Sequence, residues 1–116
     1  MLIYIICPVR NQTNNQSINI EKYVKELEKE NHSVFYPKRD APQESKTGYE
    51  IVESELNAIK KADEIHVFWD INSKGSHFDL GMCYALNKRI IIKHLFTPDC
   101  EEKSYVKVIK LKGKIK

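Results

Sequence analysis

Residues 2–7, Leu2-Ile3-Tyr4-Ile5-Ile6-Cys7, are apolar at every position. A short run that is apolar on both faces is what the centre of a parallel sheet requires. Pro8 stops it, because proline has no N–H to give the ladder. A second run of this kind, Ile65-His66-Val67-Phe68-Trp69, lies in the second half of the chain. Parallel neighbours need a long crossover between them, usually a helix. The intervening segments carry helical periods. Ile20, Tyr23, Val24 and Leu27 fall at i, i+3, i+4 and i+7 and predict a helix over 14–30, ended by Asn31-His32. Ser33 to Tyr36 reads as a short second strand. Pro37 through Gly48 reads as a long polar loop, of the kind that is functional or mobile in compact domains.

A second helix runs from Thr47 or Gly48 to Lys61, with Ile51, Val52, Leu56 and Ile59 on its buried side. Residues 64–69 form strand three, 75–87 helix three, and Ile90-Ile91-Ile92 begins strand four after a basic Lys88-Arg89 turn. Leu95 to Lys103 is a loop. Residues 104–111 read as a fifth strand, because Ile109, Leu111 and Ile115 alternate with Lys110, Lys112, Lys114 and Lys116. Lysines on such a strand guard a sheet edge against pairing with another chain. The order β-α-β-α-β-α-β-loop-β predicts an α/β fold, doubly wound around a mostly parallel five-stranded sheet. Residues 1–116 form a single domain, with no internal repeat or linker.

Composition narrows the function classes. With 41% hydrophobic and 30% charged residues the chain reads as soluble and globular. No apolar run approaches the roughly 20 residues that span a bilayer, so no membrane partner is expected. The apolar start lacks a basic leader and reads as a strand rather than a signal peptide. Three cysteines without CxxC spacing fit reduced thiols and a cytoplasmic location. Four scattered histidines offer no metal-ligand spacing, and no metal or organic cofactor is expected. Residues 103–116 hold six lysines and no acid. That tail admits a nucleic-acid reading, but the lysine-faced edge strand is the simpler one. Neither GxGxxG nor GxxxxGK[ST] occurs.

In doubly wound sheets ligands settle at the carboxyl ends of the strands. That edge collects Pro8–Gln12, Tyr36–Gly48 and Asp70–Asp79. Gly75-Ser76-His77-Phe78-Asp79-Leu80-Gly81 opens helix three and places Asp79 in its first turn. Two readings stand for it: a capping box, Ser76-x-x-Asp79, or a carboxylate aimed into the crevice. Glu55 falls at about 40° on the helix-two wheel, inside the apolar arc. It either snorkels outward or points into a pocket, since an unpaired buried carboxylate is expensive. Arg10 and Ser73, on rim loops, suit a phosphate or ribose.

Three stretches resemble the nucleoside 2-deoxyribosyltransferase family, including its branch of 2′-deoxynucleoside 5′-phosphate N-glycosidases. They are Ile3-Tyr4-Ile5-Ile6-Cys7-Pro8-Val9-Arg10, then Glu55-Leu56-Asn57-Ala58-Ile59-Lys60-Lys61-Ala62-Asp63, and Gly75-Ser76-His77-Phe78-Asp79-Leu80-Gly81-Met82-Cys83-Tyr84-Ala85-Leu86-Asn87-Lys88-Arg89. The third is the most specific. The resemblance implies a flavodoxin/Rossmann-like three-layer sandwich. It implies that Asp79 stands at the family's nucleophilic glutamate and Glu55 at its supporting aspartate, with their lengths exchanged. It further implies that Arg10 and Ser73 hold the 5′ end of the sugar. Tyr4, Cys7, Pro8 and Val9 would line the sugar and base pocket, bordered by Gly75, Ser76 and His77. Cleavage or transfer at an N-glycosidic bond follows, on a nucleoside or nucleotide, in a homo-oligomer whose neighbouring subunit helps to close the site. The rival from another class is a catalytically inactive nucleotide-binding module, a sensor or sponge, using the same crevice.

Overall fold

The computed structural model describes residues 1–114. Its elements run β1 (Leu2–Ile6), α1 (Asn14–Lys29), β2 (Ser33–Phe35), α2 (Pro37–Asp40), α3 (Tyr49–Lys61), β3 (Glu64–Trp69), α4 (Lys74–Ala85), β4 (Ile90–Leu95) and α5 (Tyr105–Lys114). The four strands form one sheet in the order β2-β1-β3-β4, parallel at every pairing. The chain leaves β1 towards β2 on one side and β3 towards β4 on the other. The order therefore reverses between β1 and β3, the switch point at whose strand ends folds of this class bind ligands.

β1 is apolar on both faces because both faces are covered. Ile3, Ile5 and Cys7 pack with Ile20, Val24 and Leu27 of α1. Tyr4 and Ile6 face the opposite layer, with Ala58 and Ile59 of α3, Leu80 and Cys83 of α4, and Val106 and Ile109 of α5. Thr13 starts α1 with a capping box: its Oγ1 accepts from the Gln16 N–H, and its own N–H donates to Gln16 Oε1, each at 3.1 Å. The polar 37–48 segment is not all loop. Pro37 opens the single turn of α2, where a missing N–H is harmless, and the Tyr36 N–H donates to Asp40 Oδ2 at 2.9 Å. Gly48 then precedes α3 at φ 84°, a left-handed conformation that a side chain would strain.

The expected fifth strand is a helix. Residues 105–114 form α5, started by Ser104, whose Oγ accepts from the Lys107 N–H at 3.1 Å. Val106 and Ile109, three apart, are buried on the sheet, while Leu111 is 55% exposed. The alternation of Ile109 and Leu111 with lysines is thus the accidental overlap of a helical stripe with its solvent side. The lysine-guarded edge is not formed, and the sheet has four strands rather than five; Ile115 and Lys116 lie outside the described residues. Among the described residues, no helix is long and apolar enough to cross a membrane.

A helix and a strand give different mutational patterns here. Ile109→Ala is expected to cost about 2–4 kcal/mol, as a buried truncation does. Leu111→Ala should stay within about 0.5 kcal/mol. Urea unfolding of the two variants checks this; equal losses would indicate a shared face and contradict the helix.

Candidate active site

Three polar side chains meet in the layer between the sheet and α3–α4. Tyr4 points there because even positions of β1 face that side. Its ring stacks on Phe35 with centroids 5.4 Å apart, which fixes the direction of the phenol. Glu55 lies on the buried side of α3 together with Ala58 and Ile59. Asp79 lies on the buried side of α4 with Ser76, Leu80 and Cys83, at helical spacing. The exposures are 0% for Tyr4, 6% for Asp79 and 9% for Glu55.

The Tyr4 phenol donates to Asp79 Oδ2 at 2.9 Å and reaches Glu55 Oε2 at 3.2 Å. The two carboxyl groups therefore meet on one phenol oxygen and lie close enough to act on each other's protonation. Among the described residues, neither forms an ion pair. Two carboxylates that share one phenol, out of water and without a cation, are costly to charge together. Burial raises the Asp79 pKa, and the neighbouring Glu55 charge raises it further. Burial also raises Glu55, opposed by its hydrogen bonds with Tyr4 and Asp79. Burial and the same two acids hold the Tyr4 phenol protonated. The Cys83 thiol is pushed up to about 12 by burial and the Asp79 charge, so it is no nucleophile at neutral pH.

Of the two readings for Asp79, the cap does not hold. α4 begins at Lys74, one residue before the expected start, because Ser73 is its N-cap and accepts from the Ser76 N–H at 3.3 Å. Asp79 therefore lies in the second turn, and its carboxyl meets Tyr4 rather than the helix end. Ser76 is buried, with its Oγ 2.9 Å from Ser73 Oγ. Gly75 sits inside the first turn of α4 with open space where a Cβ would be. For Glu55 the inward reading is the observed one.

The remaining expected residues spread around this centre. Pro8 is buried and Arg10 exposed at the carboxyl end of β1. Cys7 and Val9 pack in the α1 layer, and burial together with the charges of Asp79 and Glu55 pushes the Cys7 thiol pKa up. His77 turns away as well, its ring 4.7 Å from Trp69 and 5.7 Å from Tyr105. A polar network unforeseen from the pattern borders the same sheet edge. Gln12 Nε2 donates to the Pro8 carbonyl at 2.7 Å, Lys38 Nζ to Gln12 Oε1 at 2.8 Å, and Gln16 Nε2 to Asp70 Oδ2 at 3.0 Å. The run of amides in the loop after β1 was the only hint of it. Among the described residues, no three His, Cys, Asp or Glu side chains are disposed to hold a metal ion.

No family model and no curated protein matches the chain. Solved structures do. The Clostridium botulinum CMP N-glycosidase BcmB superposes with a TM-score of 0.68 at 18% identity, over 96% of this chain and 81% of that one. A 2-deoxyribosyltransferase from the psychrotolerant Bacillus psychrosaccharolyticus gives 0.68 at 20% identity, over 93% and 96%. A conserved protein from Enterococcus faecalis V583 gives 0.65 at 16% identity, over 100% and 75%. At these identities the likeness establishes a shared fold.

The shared proton has a stability signature. A carboxyl whose folded-state pKa is raised contributes stability that is fully present below the ordinary carboxylate range and is lost as pH rises through the raised value. Asp79→Asn removes that titration and keeps the shape. The melting temperature of the variant should therefore gain on wild type as pH climbs from 5 to 9. Parallel melting profiles over that range would contradict a buried, shared proton.

Proposed function

We propose that the chain is a divergent relative of the nucleoside 2-deoxyribosyltransferases and nucleotide N-glycosidases and breaks or transfers an N-glycosidic bond. The observation that carries this reading is the meeting of Asp79 and Glu55 on the Tyr4 phenol. Its support is the fold shared with a CMP N-glycosidase and a 2-deoxyribosyltransferase. Two carboxyl groups with one proton between them are the minimum for double displacement at a sugar carbon: one ionised to attack, one protonated to serve the leaving group.

Asp79 is the nucleophile and Glu55 the acid. At rest the pair's proton sits on Asp79, the acid that burial and the Glu55 charge raise further; once it has moved across to Glu55, an Asp79 oxygen forms a bond to C1′. The C1′–N bond breaks, its electron pair stays on the base nitrogen, and the Glu55 proton neutralises it. Glu55, now ionised, takes a proton from water or from an incoming base. The oxygen or nitrogen so activated bonds to C1′ and releases Asp79. Tyr4 donates to Asp79 Oδ2 at 2.9 Å, so its phenol orients the attacking group. The acids of retaining glycosidases stand about 5–5.5 Å apart. In the present pair one phenol lies between the acids, 2.9 Å from Asp79 Oδ2 and 3.2 Å from Glu55 Oε2.

Arg10 and Ser73 lie at the same sheet edge and hold the 5′ end of a nucleoside or nucleotide, with Pro8 beside them. A second copy of the chain, seated on exposed Phe78 and Tyr84 of α4, closes the site as the family resemblance implies. The rival reading, a binding module without turnover, uses the same crevice.

Chromatographic product analysis with a panel of nucleosides and 5′-monophosphates separates the two. Wild type should release free base. Glu55→Gln should lower the rate about 10²–10⁴-fold, as loss of a general acid does, and Asp79→Ala should abolish it. Tight binding of a panel member with no free base would replace the enzyme by the module.

A further inference from the structure

Trp69 closes β3 at the carboxyl edge of the sheet, yet its indole borders a cavity that the carboxylate pair does not. This cavity, about 630 Å³, lies between α4, α5 and the loop that joins β4 to α5. Its volume is within the range of about 300–1,000 Å³ typical of small-molecule sites. Tyr4, Glu55 and Asp79 are not among its lining residues, because they face the α3 side of α4. Three aromatic rings form one wall: Trp69 and His77 with centroids 4.7 Å apart, then His77 and Tyr105 at 5.7 Å. Tyr105 is 61% exposed, so its ring is open to a partner.

The polar groups in that wall have fixed senses. His77 Nδ1 lies 2.8 Å from the Ser73 carbonyl oxygen, which only accepts, so Nδ1 carries the hydrogen. In the neutral ring Nε2 is then an acceptor. Thr97 Oγ1 accepts from the Ile71 N–H at 3.0 Å, which leaves its own hydrogen to donate. One acceptor and one donor beside an aromatic wall match the edge of a heteroaromatic ring that carries both N–H and C=O or ring nitrogen. The rim holds Asp99 and Glu101 against Lys103, a net negative balance that disfavours a phosphate.

We propose that the Trp69–His77–Tyr105 cavity is a second ligand site, separate from the carboxylate pair, that binds an uncharged nucleobase or nucleoside through stacking and through His77 Nε2 and Thr97 Oγ1. The choice of a nucleobase among planar heterocycles rests on the N-glycosidic reading, in which a free base is product or acceptor. The site itself stands on the rings and their hydrogen bonds.

Trp69 is the sole tryptophan, so its fluorescence reports on this cavity directly. Titration of the full chain with adenine, cytosine, adenosine, cytidine and the two 5′-monophosphates should give saturable quenching by bases and nucleosides. Binding of the monophosphates should be at least about 10-fold weaker. Tyr105→Ala and Thr97→Val, both at the cavity wall, should each weaken binding by about 10-fold or more, and Asp79→Ala should leave it unchanged. Absence of saturable quenching overturns the proposal, as does quenching that Asp79→Ala abolishes and Tyr105→Ala spares. Quenching without base release would leave this site standing and remove the N-glycosidic reading; base release without quenching would do the reverse.

Discussion

Two buried carboxyl groups and a phenol, with no cation among them, set the terms for the centre of this molecule. Removing one carboxylate from water is costly, and removing two in contact is prohibitive unless a proton is shared. The arrangement is therefore a constraint on protonation before it is anything else. Tyr4 contributes one hydrogen to two acids, and each acid must take up what the other leaves. Ordinary cores avoid such a cluster, because apolar residues of similar volume would pack there without penalty. Its presence at the point where strand order reverses argues for chemistry rather than for stability.

The fold supplies the geometry with few parts. β1 runs through the middle of the sheet and sends alternate side chains to the two layers, so Tyr4 and Ile6 reach the layer that α3 and α4 occupy. Phe35, on the neighbouring strand, braces the Tyr4 ring. α3 and α4 each give one acid from a buried face that is otherwise apolar or small. The same α4 presents His77 to a different cavity, bounded by α5. One helix thus separates two environments at one sheet edge: acidic and nearly dry on the α3 side, aromatic and open on the α5 side.

Much of this was legible in the residues. The two-sided apolar runs located β1 and β3, since nothing but a covered central strand tolerates them. The stripe Ile20, Tyr23, Val24 and Leu27 located α1. Glu55 inside an apolar arc marked an acid that needed a partner. Other parts were hidden for physical reasons. α5 carries only two buried apolar residues, Val106 and Ile109, and a stripe that short is indistinguishable from strand alternation when lysines fill the gaps. Asp79 read as a cap because Ser76 is a competent N-cap three residues before it; the observed N-cap at Ser73 moves Asp79 one turn inward. Tyr4 read as pocket lining, since the sequence does not tell which phenol will find two acids.

The central claim concerns one proton held between Asp79 and Glu55. Carbon-13 NMR of the labelled carboxyl groups, followed through a pH titration of wild type, Glu55→Gln and Asp79→Asn, tests it most directly. The account predicts that the wild-type pair keeps one proton well above the ordinary carboxylate range of about 4, that Glu55→Gln lowers the pKa of Asp79, and that Asp79→Asn shifts that of Glu55. Two independent titrations near the ordinary value, unmoved by either substitution, would contradict it.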